Sequence, residues 1–428
     1  MTRNSGAIGA AADTRRRERT GIIPGRGGNV LLLSMRRLND LVAFCLQYEF
    51  EDVVADLTGA DRVDAGDGER LETSRRAYRL ARLATGSRRF ARAWAPRPST
   101  VRLDRDYELF FPVFNYGHEV FALAAVPDWR KHSRFAVCFI NELIGESPRR
   151  GPRRLPDYLL ELLTEFDHVF LGQRHPVDEL ARSIGRPCSY LPLAADVLRF
   201  SPYPDPPART IDVSNVGRRS PVTHQALVRL ARDGRLFYYY DTVAASGDGQ
   251  KQRTFRVENA NEHRLLLASL LKRSRYFIAN RGRVNEPEFT MGREEISGRF
   301  YEGAAAGTVM LGEAPRTEEF RSQFDWPDVV IEVPFDSPEI GVILRELDRN
   351  PERLERIRRD NVRNAALRHD WVHRLGTIFE TVGIPPTEAM LERENRLRAM
   401  AALVSGTIPD EEDRPRTYLR QVLRTRVG

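Results

Sequence analysis

Two carboxylates with seven residues between them, Glu294 and Glu302, stand in the stretch FTMGREEISGRFYEGAAAGTVMLGE at residues 289–313. Ser297, Gly298 and Arg299 lie in the gap, and Glu302 runs into Gly303, three alanines, Gly307 and the apolar run 308–311. This order predicts a loop at Ser297 and Gly298, a helix over 299–306 and a short buried strand over 308–311. A loop that opens a helix aims unpaired backbone N–H groups at whatever lies in front of it, and such groups favour phosphate oxygens. A nucleotide diphosphate suits that position. A carboxylate accepting hydrogen bonds from two vicinal hydroxyls fixes a ribose, the role expected of Glu302. Glu294, at the loop's start, is then expected to hold the transferred sugar.

The Glu-x7-Glu spacing, followed by small residues, a glycine and an apolar strand, resembles the motif of group-1 glycosyltransferases of the GT-B fold. The run Arg299-Phe300-Tyr301-Glu302 further resembles their spore-protein-like (CgeB-like) branch. The resemblance covers residues 190–380 well and residues 29–190 only in strand–helix rhythm. It departs at Ile296-Ser297-Gly298, where the family often places Phe-Gly two residues after the first Glu, so Glu295 competes with Glu294.

The resemblance implies an α/β fold of two Rossmann-like domains whose parallel sheets face across a cleft. It implies sugar transfer from a nucleotide-diphosphate-sugar donor to an acceptor, with retention and with neither a metal nor a further cofactor. In the turn after the strand at residue 211, Gly217 precedes Arg218 and Arg219, either of which would bring a planar fork to the diphosphate. Asn280 or Arg281, after the strand 276–279, would contact the base, and Lys272 would supply a charge to phosphate.

On the acceptor side the residues speak more generally. His118 follows a strand-like run ending in Phe114-Asn115-Tyr116-Gly117, and Glu142 follows the run 134–140. Open α/β sheets bind ligands at such strand ends, so His118 is a candidate proton carrier or hydroxyl contact and Glu142 a candidate acceptor contact or base. Two other activities fit the same fold: a nucleotide-sugar epimerase, and a non-catalytic nucleotide-sugar-binding protein.

The elements that must hold these residues fill 428 residues, enough for two domains. Residues 1–27 are polar and small and are expected to be a disordered tail, with Gly25, Gly27 and Gly28 a flexible lead-in. An acceptor-side domain is expected over 28–200, with strands at 29–34, 107–113, 134–140, 166–171 and 189–193. Residues 191–202, with further prolines to Pro207, resemble the family's exit from its first domain. The donor-side domain is expected over 201–385, with strands beginning at 211 and spanning 236–240, 276–279, 308–311 and 329–333. His369–Leu375 resembles the family's closing helix, which makes His373 structural. A helical tail, 386–428, with one amphipathic helix over 387–404, is expected to fold back or meet a partner.

Composition narrows the partners. The net charge is +7, but only Lys131, Lys251 and Lys272 are lysines, and the arginines are interspersed with Asp and Glu, which argues against a nucleic-acid partner. Cys45, Cys138 and Cys188 are far apart and read as free thiols in a reducing compartment, so a cytoplasmic protein is expected. No run reaches the roughly eighteen apolar residues of a membrane span. His369 and His373, four apart, lack a third ligand, and no metal site is expected.

Overall fold

The computed structural model describes residues 21–66, 68–95, 100–143, 157–241, 256–290 and 292–406. Residues 1–20 of the expected disordered tail and the end of the expected helical tail, 407–428, lie outside the described residues.

Seven strands form the first sheet: β1 (Ile22–Ile23), β2 (Val30–Ser34), β3 (Asp61–Asp64), β4 (Tyr107–Tyr116), β5 (Ser133–Glu142), β6 (His168–Leu171) and β7 (Cys188–Tyr190). Their spatial order is β1-β3-β2-β4-β5-β6-β7. All pairs are parallel except β1 with β3. A parallel sheet is covered on both faces, which is why β2, β4 and β5 read as near-continuous apolar runs.

The second sheet holds β8 (Ile211–Asn215), β9 (Tyr238–Tyr240), β10 (Ser274–Ile278), β11 (Val309–Gly312) and β12 (Val330–Glu332). Its order is β12-β11-β10-β8-β9, parallel throughout. In both sheets, once the antiparallel edge β1 is set aside, the first strand in sequence lies between the second and the third. This is the doubly wound order, and it places a topological switch point between β2 and β4 and another between β8 and β10.

Between the sheets runs the helix Cys45–Thr58, ended by Gly59 in the left-handed conformation at φ 65°. It is buried on nearly every side, Glu49 and Glu51 included. Phe50 packs edge-on against Phe111 and Phe139 of the first sheet, at 5.7 and 6.1 Å, and stacks on Trp371 at 4.5 Å. Trp371 opens the helix Trp371–Val382, so the chain returns from the second sheet to cover the first. Ala195 N donates to His369 O at 3.0 Å and Val197 N to Asp370 Oδ2 at 2.9 Å. The following helix, Glu388–Ser405, is fastened by Thr387 Oγ1 on Leu57 O at 2.7 Å and by Arg393 Nη2 on Asp196 Oδ1 at 2.6 Å. No described helix is long and apolar enough to cross a membrane.

Three expectations need correction. Residues 22–28 are not a loose lead-in: β1 pairs with β3, and Gly25 N donates to Asp61 Oδ1 at 2.7 Å. A Cβ at Gly28 would stand 1.8 Å from Thr58 O, so glycine is there for close backbone approach. Second, β3 forms from the polar run Asp-Arg-Val-Asp, where no apolar stretch announces it. Third, β4 continues to Tyr116, and His118 falls in the short 3-10 helix Gly117–Ala125.

Candidate functional site

A cavity of about 590 Å³ lies where the carboxyl ends of the two sheets face each other. Tyr116, Glu142 and Gln173, at the ends of β4, β5 and β6, line it from one side. Gly217 and Arg218 after β8, and Arg283 after β10, line it from the other.

The helix Gly298–Ala305 opens directly onto this space. Ser297 caps it, its hydroxyl accepting from Arg299 N. A Cβ on Gly298 would lie 2.5 Å from Leu46 Cδ2, so this helix start packs closely against the Cys45–Thr58 helix and a larger residue would have to displace that side chain. The neighbouring turn is held as firmly. Gly217 has φ 75° and donates to Asp241 Oδ2 at 2.8 Å, and a Cβ there would meet the Arg299 guanidinium at 2.7 Å. Backbone N–H groups at the helix start and guanidinium groups beside them make an anion-favouring wall.

Three arginines give the wall its charge. Arg218 pairs with Glu286 at 2.9 Å, and burial lowers its basicity. Arg299 donates from Nε to Val216 O at 3.1 Å, and burial lowers its basicity too. Arg283 reaches across the cleft, Nη2 to Glu142 Oε2 at 3.0 Å. Arg218 and Arg299, whose basicity burial lowers, favour an anion that enters, whereas Arg283 is already stabilised by Glu142.

Glu302 lines the cavity, nearly buried, with Oε1 held by Arg264 Nη1. Arg264 in turn grips Glu49 through Nε at 2.7 Å and Nη2 at 3.1 Å. Glu49 also accepts from Asp196 N at 2.8 Å and Trp371 Nε1 at 3.1 Å. The carboxylate at the cavity wall is thus the end of a buried polar chain that spans both sheets.

Of the residues singled out from sequence, Glu142, Gly217, Arg218, Ser297, Gly298, Arg299 and Glu302 share this cavity. The others do not line it. Arg219 turns to Asp241, at 3.2 Å, and lies over the Tyr240 ring. Lys272, at the far end of its helix, donates to Arg199 O at 3.0 Å. Asn280 is buried and accepts from Glu313 N at 2.8 Å, and Arg281 pairs with Glu313 at 3.3 Å. Glu294 accepts from Arg316 N at 2.5 Å and faces Arg281 at 3.6 Å. His118 stacks on Tyr116, ring centres 5.6 Å apart, behind the wall that Tyr116 provides.

Glu295, its competitor in sequence, faces the cavity where Glu294 does not. It lines the cavity, with Oε1 3.2 Å from Gln173 Nε2 and 3.2 Å from His175 Nδ1. Residues that sequence reasoning passed over are therefore Glu49, Gln173, His175, Arg264 and Arg283. Their signal was weak: Glu49 alternates with aromatics in Tyr48-Glu49-Phe50-Glu51, and Arg264 interrupts an otherwise apolar helix face.

Residues 258–380 match the family model described as glycosyl transferase-like. The matched segment includes Arg264, Arg283, Glu295 and Glu302, whereas Arg218 and Glu142 lie outside it. Among solved structures, HepE of Anabaena in complex with UDP-glucose is 12% identical, with a TM-score of 0.43, over 83% of this chain and 99% of that one. A UDP-forming α,α-trehalose-phosphate synthase from Burkholderia vietnamiensis is 11% identical, with a TM-score of 0.47, over 86% of this chain and 99% of that one. No curated protein sequence matches the chain. Strand order and connectivity, not these distant likenesses, establish two doubly wound sheets about a cleft.

Proposed function

We propose that the protein is a glycosyltransferase that moves a sugar from a nucleotide-diphosphate-sugar donor to an acceptor bound against the first sheet. One observation carries this reading: the capped start of the Gly298–Ala305 helix, with Arg218 and Arg299 beside it and Glu302 one turn on, opens into the inter-sheet cavity. The helix N–H groups and the two guanidinium groups receive the diphosphate and stabilise it as a leaving group, because its negative charge grows as the glycosidic bond breaks. Glu302 accepts from the ribose hydroxyls. Glu295, set by Gln173 and His175, accepts from hydroxyls of the transferred sugar. Glu142, on the opposite wall, faces the acceptor.

With arginines and N–H groups neutralising the leaving group, the reading needs no metal, and retention goes with the family motif. Placement in the spore-protein-like branch rests on Arg299-Phe300-Tyr301-Glu302 alone.

The test is a panel of UDP, GDP, ADP and dTDP sugars, followed for nucleoside diphosphate release with and without candidate acceptors. Acceptor-dependent release from one donor supports transfer. Interconversion of donors without release is the epimerase outcome, and a raised melting temperature with neither reaction is the binding-protein outcome.

A further inference from the structure

The helix Gly68–Thr85 and the following helix Arg88–Trp94 pack together as a hairpin on the first sheet's outer side. Tyr78 meets Phe121 edge-on at 5.6 Å, so the hairpin is seated on the 3-10 segment that begins beside the cavity-lining Tyr116. The inward positions are Leu71, Ser74, Tyr78, Ala81 and Ala91, all buried. Four large apolar residues point the other way: Leu80 is 63% exposed, Leu83 73%, Phe90 50% and Trp94 59%. A helix pair serving only its own core leaves few such side chains in solvent, and this many exposed large apolar residues on one short hairpin mark a contact surface.

Charge decides what covers it. Arg76, Arg79, Leu80 and Leu83 follow one another at helical spacing along one exposed stripe. Arg89 is exposed beside Phe90. From Gly68 to Ala95 the sequence holds eight arginines against two glutamates. A second copy of the chain would press this cationic face against its own like, and a nucleic acid would leave Leu80, Leu83 and Trp94 without an apolar partner. An anionic bilayer meets both needs: headgroups take the guanidinium groups, and the acyl boundary takes the Leu, Phe and Trp side chains.

We propose that this hairpin docks the protein onto an anionic phospholipid surface. Docking there turns the 3-10 segment and the acceptor-side wall of the cavity toward the membrane, where an acceptor carried on a lipid would be reached.

The test is co-sedimentation of the full chain with vesicles, and it uses no nucleotide, so it stands or falls apart from the transfer reading. Vesicles of phosphatidylcholine mixed with phosphatidylglycerol should carry the protein down, vesicles of phosphatidylcholine alone should not, and added salt should release it. The pair Leu83→Ser with Trp94→Ser, and separately Arg79→Glu with Arg89→Glu, should each weaken partitioning by about tenfold or more at an unchanged melting temperature, since all four side chains face solvent. The proposal is overturned if the wild type stays in the supernatant with anionic vesicles, or if both variants sediment like the wild type. It is also overturned if the wild type proves to be a dimer that Leu83→Ser with Trp94→Ser dissociates, or if it binds a DNA duplex and not the vesicles.

Discussion

Arg264 Nε donates to Glu49 Oε2 across 2.7 Å, joining a helix of the second sheet to the helix beneath the first. Both side chains are buried, and the same guanidinium holds Glu302. Burial alone would lower the basicity of Arg264, yet Glu49 and Glu302 together raise it, so the cation is fixed in place. Removing it strands the Glu49 carboxylate away from water and leaves Glu302 without its partner at the cavity wall. Arg264→Met is therefore expected to cost roughly 3–5 kcal/mol in denaturant unfolding. The double variant Arg264→Met with Glu49→Met should recover part of that loss, because the stranded charge is gone. An Arg264→Met protein with the wild-type midpoint would show that this buried ion pair does not hold the two sheets together.

Arg264 takes only Oε1 of Glu302, and the carboxylate stands at the cavity wall. Glu302→Ala should weaken nucleoside diphosphate binding by about 10- to 100-fold, the worth of hydrogen bonds to a charged acceptor. Calorimetric titration measures this directly. The ribose assignment has its own control: a 2′,3′-dideoxy nucleotide should bind the wild type as weakly as the normal nucleotide binds Glu302→Ala, and should lose little more in the variant. Equal discrimination against the dideoxy nucleotide in both proteins would remove Glu302 from the ribose.

Much of this site was legible because it is built on local rules. Ser297 and Gly298 announced a helix start, Glu302 stood one turn on, and Gly217-Arg218 followed an apolar strand. What stayed hidden depends on contacts between distant parts. Periodicity treats Glu49 and Arg264 as the solvated faces of their helices, because it has no term for a second sheet closing over them. β3 escaped because Asp61 replaces apolar burial with bonds to Gly25 N, Arg105 and Tyr107. Glu294 and Glu295 are adjacent in sequence and face different surroundings, which spacing to Glu302 does not resolve.

That adjacency gives a sharp comparison. Glu295 lines the cavity with Gln173 and His175 around it, while Glu294 is spent on Arg316 N and Arg281. Glu295→Gln should lower kcat/KM by about 100-fold or more, as loss of a charged contact to the reacting sugar does. Glu294→Gln keeps an acceptor for Arg316 N and should stay within about threefold of the wild type. Steady-state kinetics with the active donor decides the matter, and the reverse ranking would return the sugar-holding role to Glu294.

His369 predicts how the fold responds to acid. Its ring is enclosed by Tyr301, Phe324 and Trp326, with centres at 5.2, 4.7 and 5.9 Å. Nε2 lies 2.9 Å from Gln323 O and so donates, while Nδ1 lies 3.4 Å from Arg374 Nη2 and so accepts. A second proton would go onto Nδ1, facing the Arg374 cation in a dry site. Burial first, and Arg374 second, hold the imidazole well below its usual value of 6.5. The unfolded chain therefore takes up that proton before the folded one does. The contribution is intact above pH 6.5 and is lost as pH falls toward the depressed folded value, with a slope of up to about 1.4 kcal/mol per pH unit. Burial lowers His373 as well, and it adds in the same direction. Urea midpoints between about pH 7.5 and pH 5 should fall for the wild type, and the fall should be shallower in His369→Gln, whose amide supplies a donor and an acceptor with no proton to gain. A His369→Gln protein with the wild-type slope would place the acid sensitivity of the fold elsewhere.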